Sequence, residues 1–321
     1  MSTPELIIIA LIVSIIAPVF LSIIIEALRR QPQPPEKLYW SHDIPIQYIS
    51  VNGSMMRYIK TGSGPNLVLL HTIRSQLDIF EKVVPELSRN FTVYALDYPG
   101  HGFSETPDVD YVPSLFTEYV EKFLDELDIS DAILSGISIG GVISLLIAAK
   151  HNPKVTGIVS VNPYDYDKGM GVTRGNFIAW LSIRPVLIPV LGETFMRFRI
   201  KLIEKIIFQG GVTRNDALTD GFIDLMHRAG EQRGRYRGFI SLFRNGKQWE
   251  AARDEYKNIN IPVKVVYGDQ DWSNEDERQR TINAIPDSTS VIIKEGGHFL
   301  SMDQPEALIA EIRGFATTVN T

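Results

Sequence analysis

Ala132-Ile-Leu-Ser-Gly136-Ile137-Ser138-Ile139-Gly140-Gly141 is the stretch that decides the fold. A short apolar run enters Gly-x-Ser-x-Gly, and a second apolar run with helical character, Val142 to Ala149, leaves it. Strand, sharp turn and helix in that order lift a serine to the tip of a turn too tight for ordinary backbone. Gly136 and Gly140 stand two residues either side of Ser138, where a Cβ would obstruct the approach of strand and helix. The start of the helix lies beneath Ser138 and favours negative charge there. A glycine-rich turn with an incidental serine would read the same way, so the stretch needs partners elsewhere.

A serine hydroxyl is a weak nucleophile near neutral pH, and it needs a base and an acid that orients the base. Ile261-Pro-Val-Lys-Val-Val-Tyr267-Gly268-Asp269-Gln270-Asp271 reads as a buried β-branched strand running into a polar loop, with Asp271 just past its end. Ser290-Val-Ile-Ile-Lys-Glu295-Gly296-Gly297-His298 is a further strand ending in a Gly pair that presents His298. Taken singly, His298 is a surface-loop histidine and Asp271 a turn or helix-capping aspartate. Taken together, each of the three follows a strand, in the order Ser, Asp, His. Ser138, Asp271 and His298 are therefore the predicted catalytic triad. Asp269, closer to the strand, is the competing acid and reads as structural.

With these residues in place, residues 40–318 resemble the α/β-hydrolase superfamily. Tyr94-Ala-Leu-Asp97-Tyr98-Pro99-Gly100-His101-Gly102-Phe103-Ser104 is similar to the family's D-x-P-G-H-G-x-S exit from strand 4, a structural signature. His298-Phe299-Leu300-Ser301-Met302-Asp303-Gln304-Pro305-Glu306 is similar to its link into the final helix. The resemblance implies an eight-stranded, mostly parallel sheet. It says little about substrate.

One position departs from the family pattern. Many relatives carry His-Gly after strand 3, whereas here Asn66-Leu-Val-Leu-Leu70 leads into His71-Thr72-Ile73-Arg74-Ser75-Gln76. By position, the backbone N–H groups of Ile73 and Ile139 form the oxyanion hole, a device worth typically ~3 kcal/mol per donor. Thr72 in place of glycine restricts the loop. Thr72 and Arg74 are candidate substrate contacts, against a plain salt-bridged reading of Arg74.

The 321 residues hold one α/β domain with attachments, and 44% hydrophobic with 22% charged residues is ordinary for a globular chain. A net charge of −6 gives no reason to expect nucleic acid. The absence of cysteine excludes disulfides, thiolate metal sites and a cysteine nucleophile. The histidines show no H-x-x-x-H spacing, and there is no G-x-G-x-x-G or phosphate-binding loop. Neither metal nor cofactor is expected.

The N-terminus is of different material. Leu6 to Ile25 carries no charge and is about long enough to span a bilayer. No basic residue precedes it and no clean A-x-A follows, which argues against a cleaved signal. Residues 1–30 are expected to be a transmembrane anchor through residues 6–25. Arg29 and Arg30 favour a cytoplasmic catalytic domain. Residues 31–40, with Gln31-Pro-Gln-Pro-Pro35, read as a Pro-rich linker.

Strands at 46–51, 56–60, 66–70, 91–96 and 155–161 alternate with helical stretches at 77–87 and 115–127, which implies a mostly parallel sheet covered on both faces. Residues 41–162 and 255–321 form the expected core. The alternation stops between Pro163 and Asp254, a segment without a convincing strand that resembles the family's helical cap. It holds 15 Lys/Arg against 10 Asp/Glu, a basic surplus in an acidic chain. Phe177 to Phe208 is both apolar and basic, which fits a cap helix packed on the core or an interfacial helix.

The expectation is a membrane-anchored serine hydrolase cleaving an ester of an apolar acyl group, similar in architecture to membrane-bound monoacylglycerol lipases. Dehalogenases and epoxide hydrolases of the fold use an aspartate nucleophile, and Ser138 argues against both. Lactonase, thioesterase, C–C bond hydrolase and acyltransferase chemistry share the triad. A non-catalytic protein binding a hydrophobic ligand or a partner is the alternative of another class.

Overall fold

The computed structural model of the protein describes residues 3–319, with the side chains of residues 6–12 and 15 outside the described set. Its centre is an eight-stranded sheet in the order β1-β2-β4-β3-β5-β6-β7-β8. The strands are β1 (Ile46–Val51), β2 (Ser54–Thr61), β3 (Asn66–Leu70), β4 (Thr92–Leu96), β5 (Ala132–Ile137), β6 (Val155–Val161), β7 (Val263–Gly268) and β8 (Thr289–Ile293). Only β2 runs against its neighbours. The β1–β2 turn is Asn52-Gly53, both at positive φ (49° and 77°), the backbone that a two-residue hairpin asks for.

Thirteen α-helices are described. Before the cap come α1 (Thr3–Leu28), α2 (Val84–Leu87), α3 (Pro113–Glu126) and α4 (Ile139–Ala149). The cap holds α5 (Phe177–Ile183), α6 (Leu191–Phe198), α7 (Lys201–Gln209), α8 (Asp220–Gly230), α9 (Tyr236–Arg244) and α10 (Gly246–Ala251). After it follow α11 (Glu275–Ala284), α12 (Leu300–Asp303) and α13 (Pro305–Val319).

Both sheet faces are covered, and β6 shows it. A Cβ on Gly157 would meet Phe315 of α13 at 2.8 Å, while Gly141 of α4 sits over Ser160 Oγ. Residues three apart on a strand point to opposite faces, so α13 and α4 lie on opposite sides. Between β6 and β7 the chain is helical, with no strand among the described residues.

The predicted helix at 77–87 is two pieces, a 3₁₀ turn at Leu77–Phe80 and α2. Pro85 has no N–H and would crowd the carbonyl of residue 81, so no continuous helix crosses that point. Helix α3 starts at Pro113 rather than at residue 115, with proline at the first helical position.

The N-terminal segment differs most from expectation. Among the described residues no helix is long and apolar enough to cross a membrane. In the expected span of residues 6–25, the side chains of residues 6–12 and 15 lie outside the described set. The transmembrane anchor is thus not supported by the described residues. The C-terminal end of α1 is docked on the cap. Ser22 and Glu26 are buried. Glu26 accepts from the Gly234 N–H at 2.7 Å and from Arg199 at 3.3 Å. Arg29, read as a membrane flank, donates to the Arg197 carbonyl at 2.6 Å. The Pro-rich linker ends inside the fold, where Leu38 is fully buried and Trp40 Nε1 donates to Asp78 at 2.8 Å.

Candidate active site

The sheet register brings the site together. Leu70 pairs with Gly136, Ile137 with Val161, Val161 with Val266 and Gly268 with Ile293. Loops leaving β3, β5, β6, β7 and β8 therefore emerge along one edge, where parallel α/β sheets place their ligands.

Ser138 lies between β5 and α4 at φ 62°, ψ −118°, a strained backbone for a residue with a side chain. Its N–H donates to the Val161 carbonyl at 2.9 Å, which holds the turn to β6. The flanking glycines are sterically required. A Cβ on Gly136 would lie 2.0 Å from the Gly140 carbonyl oxygen, and one on Gly140 would lie 2.2 Å from that of Leu70. Ile139 opens α4, where helical N–H groups lack intrahelical acceptors.

Asp271 and His298 meet, with Nδ1 of His298 2.5 Å from Oδ1 of Asp271 and both side chains fully buried. Ser273 supplies a second anchor for Asp271 through its N–H at 2.9 Å and its hydroxyl. Burial pushes the Asp271 carboxyl up, but the charge and bond of His298 and the two Ser273 bonds outweigh it and leave it below the usual carboxylate range. Asp269 is elsewhere, accepting from the Gly296 N–H at 3.2 Å. Ser138 Oγ and His298 Nε2 are both buried without a hydrogen-bond partner, so the bond that would complete the relay is not formed in this arrangement.

The loop after β3, which carries the predicted oxyanion donor Ile73, is braced from behind. Buried His71 bonds the Thr72 carbonyl through Nδ1 at 2.7 Å, and its Nε2 accepts from the Tyr98 N–H at 3.1 Å. Burial first, and the neighbouring His101, hold His71 well below its ordinary pKa and hence neutral. Thr72 is fully buried with Oγ1 unpartnered. Ile73 lines an apolar cleft whose walls include Phe208, Trp272 and Phe299. Arg74 is engaged with the protein. It forms an ion pair with Glu204 of α7 and stacks over the Phe239 ring at 4.9 Å. The salt-bridged reading of Arg74 describes this contact.

Three residues near the triad escaped the sequence reading. Trp272 stacks on the His298 ring with centroids 3.8 Å apart, and its Nε1 donates to Gly210 at 2.8 Å. Asn162, one residue past β6, bonds the loops of both Gly268 and His298. Glu204 holds both Arg74 and His227. Position after a strand end could have found Asn162 and Trp272. Nothing in the sequence pairs Glu204 with Arg74, 130 residues apart.

A family model described as alpha/beta hydrolase fold matches residues 65–205. The chain is similar to the dihydrolipoyllysine-residue acetyltransferase component of an acetoin cleaving system in Cupriavidus necator, 26% identical over 264 residues. That match covers 80% of this chain and 65% of the relative. A 2-hydroxy-6-oxo-6-(2′-aminophenyl)hexa-2,4-dienoic acid hydrolase of Metapseudomonas resinovorans is 21% identical over 272 residues, 81% of this chain and 87% of its own. Among solved structures, Cfl2 of Burkholderia cenocepacia superposes with a TM-score of 0.76 at 20% identity, covering 88% of this chain and 99% of that one. A bacterial membrane phospholipase A superposes at 0.72 with 19% identity, covering 99% of this chain and 97% of that one. Sheet order, elbow and relatives agree: the chain has the α/β-hydrolase fold, and residues 65–205 match the family's model.

Proposed function

We propose that the protein is a serine hydrolase that cleaves esters of apolar acyl groups, working at a lipid surface. The observation that carries this reading is a serine on a strained elbow and a buried Asp271–His298 pair on loops leaving the same edge of the sheet, with an apolar cleft walled by Ile73, Trp272 and Phe299 from the neighbouring loops. In the proposed reaction Ser138 Oγ attacks the carbonyl carbon and His298 Nε2 takes the hydroxyl proton. Asp271 holds the imidazole and stabilises its cation. Ile139 and Ile73 N–H groups hold the oxyanion. Collapse expels the alcohol, which takes the proton from His298. Water, activated by His298, then splits the acyl-enzyme and restores the serine.

The lipid-surface part rests on exposed apolar side chains. Phe20, Leu21 and Ile24 of α1 are exposed, as are Phe177, Trp180 and Leu202 in the cap. Such a surface suits contact with lipid. The apolar length of residues 6–25 and the likeness to a membrane phospholipase over 99% of the chain support the same placement. A cytoplasmic catalytic domain remains part of the proposal.

Labelling with a fluorophosphonate and hydrolysis of a p-nitrophenyl ester series test the reading. Ser138→Ala is expected to abolish labelling and to cost at least ~10³-fold in kcat/KM. Turnover retained in that variant sinks it. C–C bond hydrolysis is the second reading, favoured by the likeness to the dienoic acid hydrolase, and a matching dienoate substrate would reveal it.

A further inference from the structure

Helix α5 is apolar on the side it shows to solvent as well as on the side it buries. Ala179, Ser182 and Ile183 are buried, and Ser182 and Ile183 border the apolar cleft. Phe177, Trp180, Leu181 and Arg184 follow the helical repeat and share the other side, where all four are exposed. Phe177 is 71% and Trp180 42% exposed, and their rings stack with centroids 6.0 Å apart. The Arg184 guanidinium lies over the Trp180 ring at 5.1 Å. The 3₁₀ turn Arg184–Leu187 continues this strip, since residues three apart eclipse in such a turn. Leu187 and Ile188 extend it with two more exposed aliphatic side chains. Helix α6 comes next, and α1 packs against it.

A basic groove runs beside the strip. Lys168, Arg184, Arg244 and Lys247 line it with Leu187, Ile188 and Phe243, and Phe243 is also a wall of the apolar cleft. Arg244 is spent on Glu193, at 2.6 and 3.1 Å. Asp167, the one carboxylate of the lining, is paired outside it with Arg174 at 3.1 Å. Glu250 stands nearby and accepts from the Lys168 backbone N–H at 3.2 Å. Lys168, Arg184 and Lys247 are exposed and form no ion pair among the described residues. Exposed apolar side chains edged by unpaired cations match the two layers of an anionic bilayer surface, acyl chains and phosphates. A tryptophan carrying a stacked cation suits the boundary between those layers.

We propose that the outer side of α5 and the turn after it form a docking surface for an anionic lipid bilayer. Phe177, Trp180, Leu181, Leu187 and Ile188 enter the acyl region, while Lys168, Arg184 and Lys247 meet headgroup phosphates. The inference rests on the lipid-surface part of the reading above and deepens it by naming the face and the charge of the lipid. Docking of this kind lays the bilayer against the helix whose inner side borders the apolar cleft.

The test follows Trp180. Of the four tryptophans, Trp249 and Trp272 are buried and Trp40 is half-buried, so Trp180 alone is exposed. The full chain is reconstituted into vesicles of phosphatidylcholine with brominated acyl chains, with or without phosphatidylglycerol. The Trp180 signal is the emission that Trp180→Phe removes. Bromine should quench it, more strongly with phosphatidylglycerol and less as salt rises. Arg184→Gln with Lys247→Gln should lower the docked-to-undocked ratio on phosphatidylglycerol roughly fivefold for each charge removed. Both side chains are exposed, so melting temperatures should match the wild type. Vesicle-bound protein whose Trp180 escapes quenching overturns the docking surface. Quenching indifferent to phosphatidylglycerol and to both substitutions overturns the headgroup groove. A blue shift of Trp180 that depends on protein concentration and not on lipid assigns the face to a second copy instead. Protein that stays out of the vesicle pellet fails the lipid-surface reading as well. Fluorophosphonate labelling of Ser138 plays no part in these measurements, so the hydrolase reading stands or falls separately.

Discussion

The side-chain amide of Asn162 donates to the backbone carbonyl of His298 at 2.9 Å. The same nitrogen reaches the Gly297 carbonyl at 3.0 Å, and Oδ1 accepts from the Gly268 N–H at 2.9 Å. One amide thus ties the acid strand to the histidine loop. Asn162→Ala should cost about 2–4 kcal/mol of stability, because buried backbone groups lose their partner. It should lower kcat by roughly tenfold or more as the base drifts. Asn162→Asp keeps the volume and the acceptor but sets a carboxylate against two carbonyls, so it should be at least as damaging. Thermal melts with ester kinetics check both, and wild-type kcat in Asn162→Asp would remove Asn162 from the positioning frame.

Trp272 does two jobs that substitutions separate. Trp272→Phe keeps a ring against His298 and deletes the bond to Gly210, at a cost of about 1 kcal/mol. Trp272→Ala also removes the wall beside the imidazole and should lose about 3–5 kcal/mol with most of the activity. The graded order in melting temperature and kcat is the outcome to look for.

The ion pair of Arg74 and Glu204 joins the loop after β3 to the cap. Burial works to raise the Glu204 carboxyl, but the Arg74 charge and the His227 bond prevail and hold it below the usual range. A depressed carboxylate contributes stability above its unfolded pKa and loses it as pH falls through the folded value. Glu204→Gln should therefore destabilise by about 2 kcal/mol at pH near 7, and the gap from wild type should close in acid. Denaturant titrations at several pH values measure it, and a gap constant with pH contradicts the pairing.

Asp165 has the opposite sign. Burial raises its carboxyl to about 6 despite bonds from Thr281 Oγ1 at 2.8 and 2.9 Å. The folded state then holds a proton that the unfolded chain has released. Stability should fall as pH rises from about 4 to about 6 and level off above, a change of order 2–3 kcal/mol. Asp165→Asn should flatten that slope and gain stability near pH 8, as urea midpoints across the range would show.

The docked end of α1 also contributes to the cap. Removal of residues 1–30 takes Glu26 away from Arg199, whose side chain is 2% exposed. The truncated chain should melt at lower temperature, with a loss of about 2–3 kcal/mol. Glu26→Gln in the full chain should reproduce part of that loss.

The elbow was legible because it is local. Gly136, Ser138 and Gly140 are consecutive requirements of one turn, and Asp271 and His298 each follow a strand that announces itself by composition. Asn162 and Glu204 were not legible, because their partners come from other strands and from the cap, and no spacing encodes a contact across 130 residues. The docked end of α1 was not legible for a related reason. Apolar length marks Leu6–Ile25 as a span, yet Ser22 inside it and Glu26 just after it are held by arginines of the cap, whose position only the tertiary fold supplies.

Ser138 is fully buried. On the proposed mechanism the second half of the reaction needs a water molecule in a chamber with apolar walls, and the chamber must hydrate before the acyl-enzyme can be cleared. Short alcohols soluble in such surroundings then compete with water for the acyl group. The ratio of transesterification to hydrolysis would report how wet the surroundings of Ser138 become, and polar substitutions along the apolar cleft would tune it.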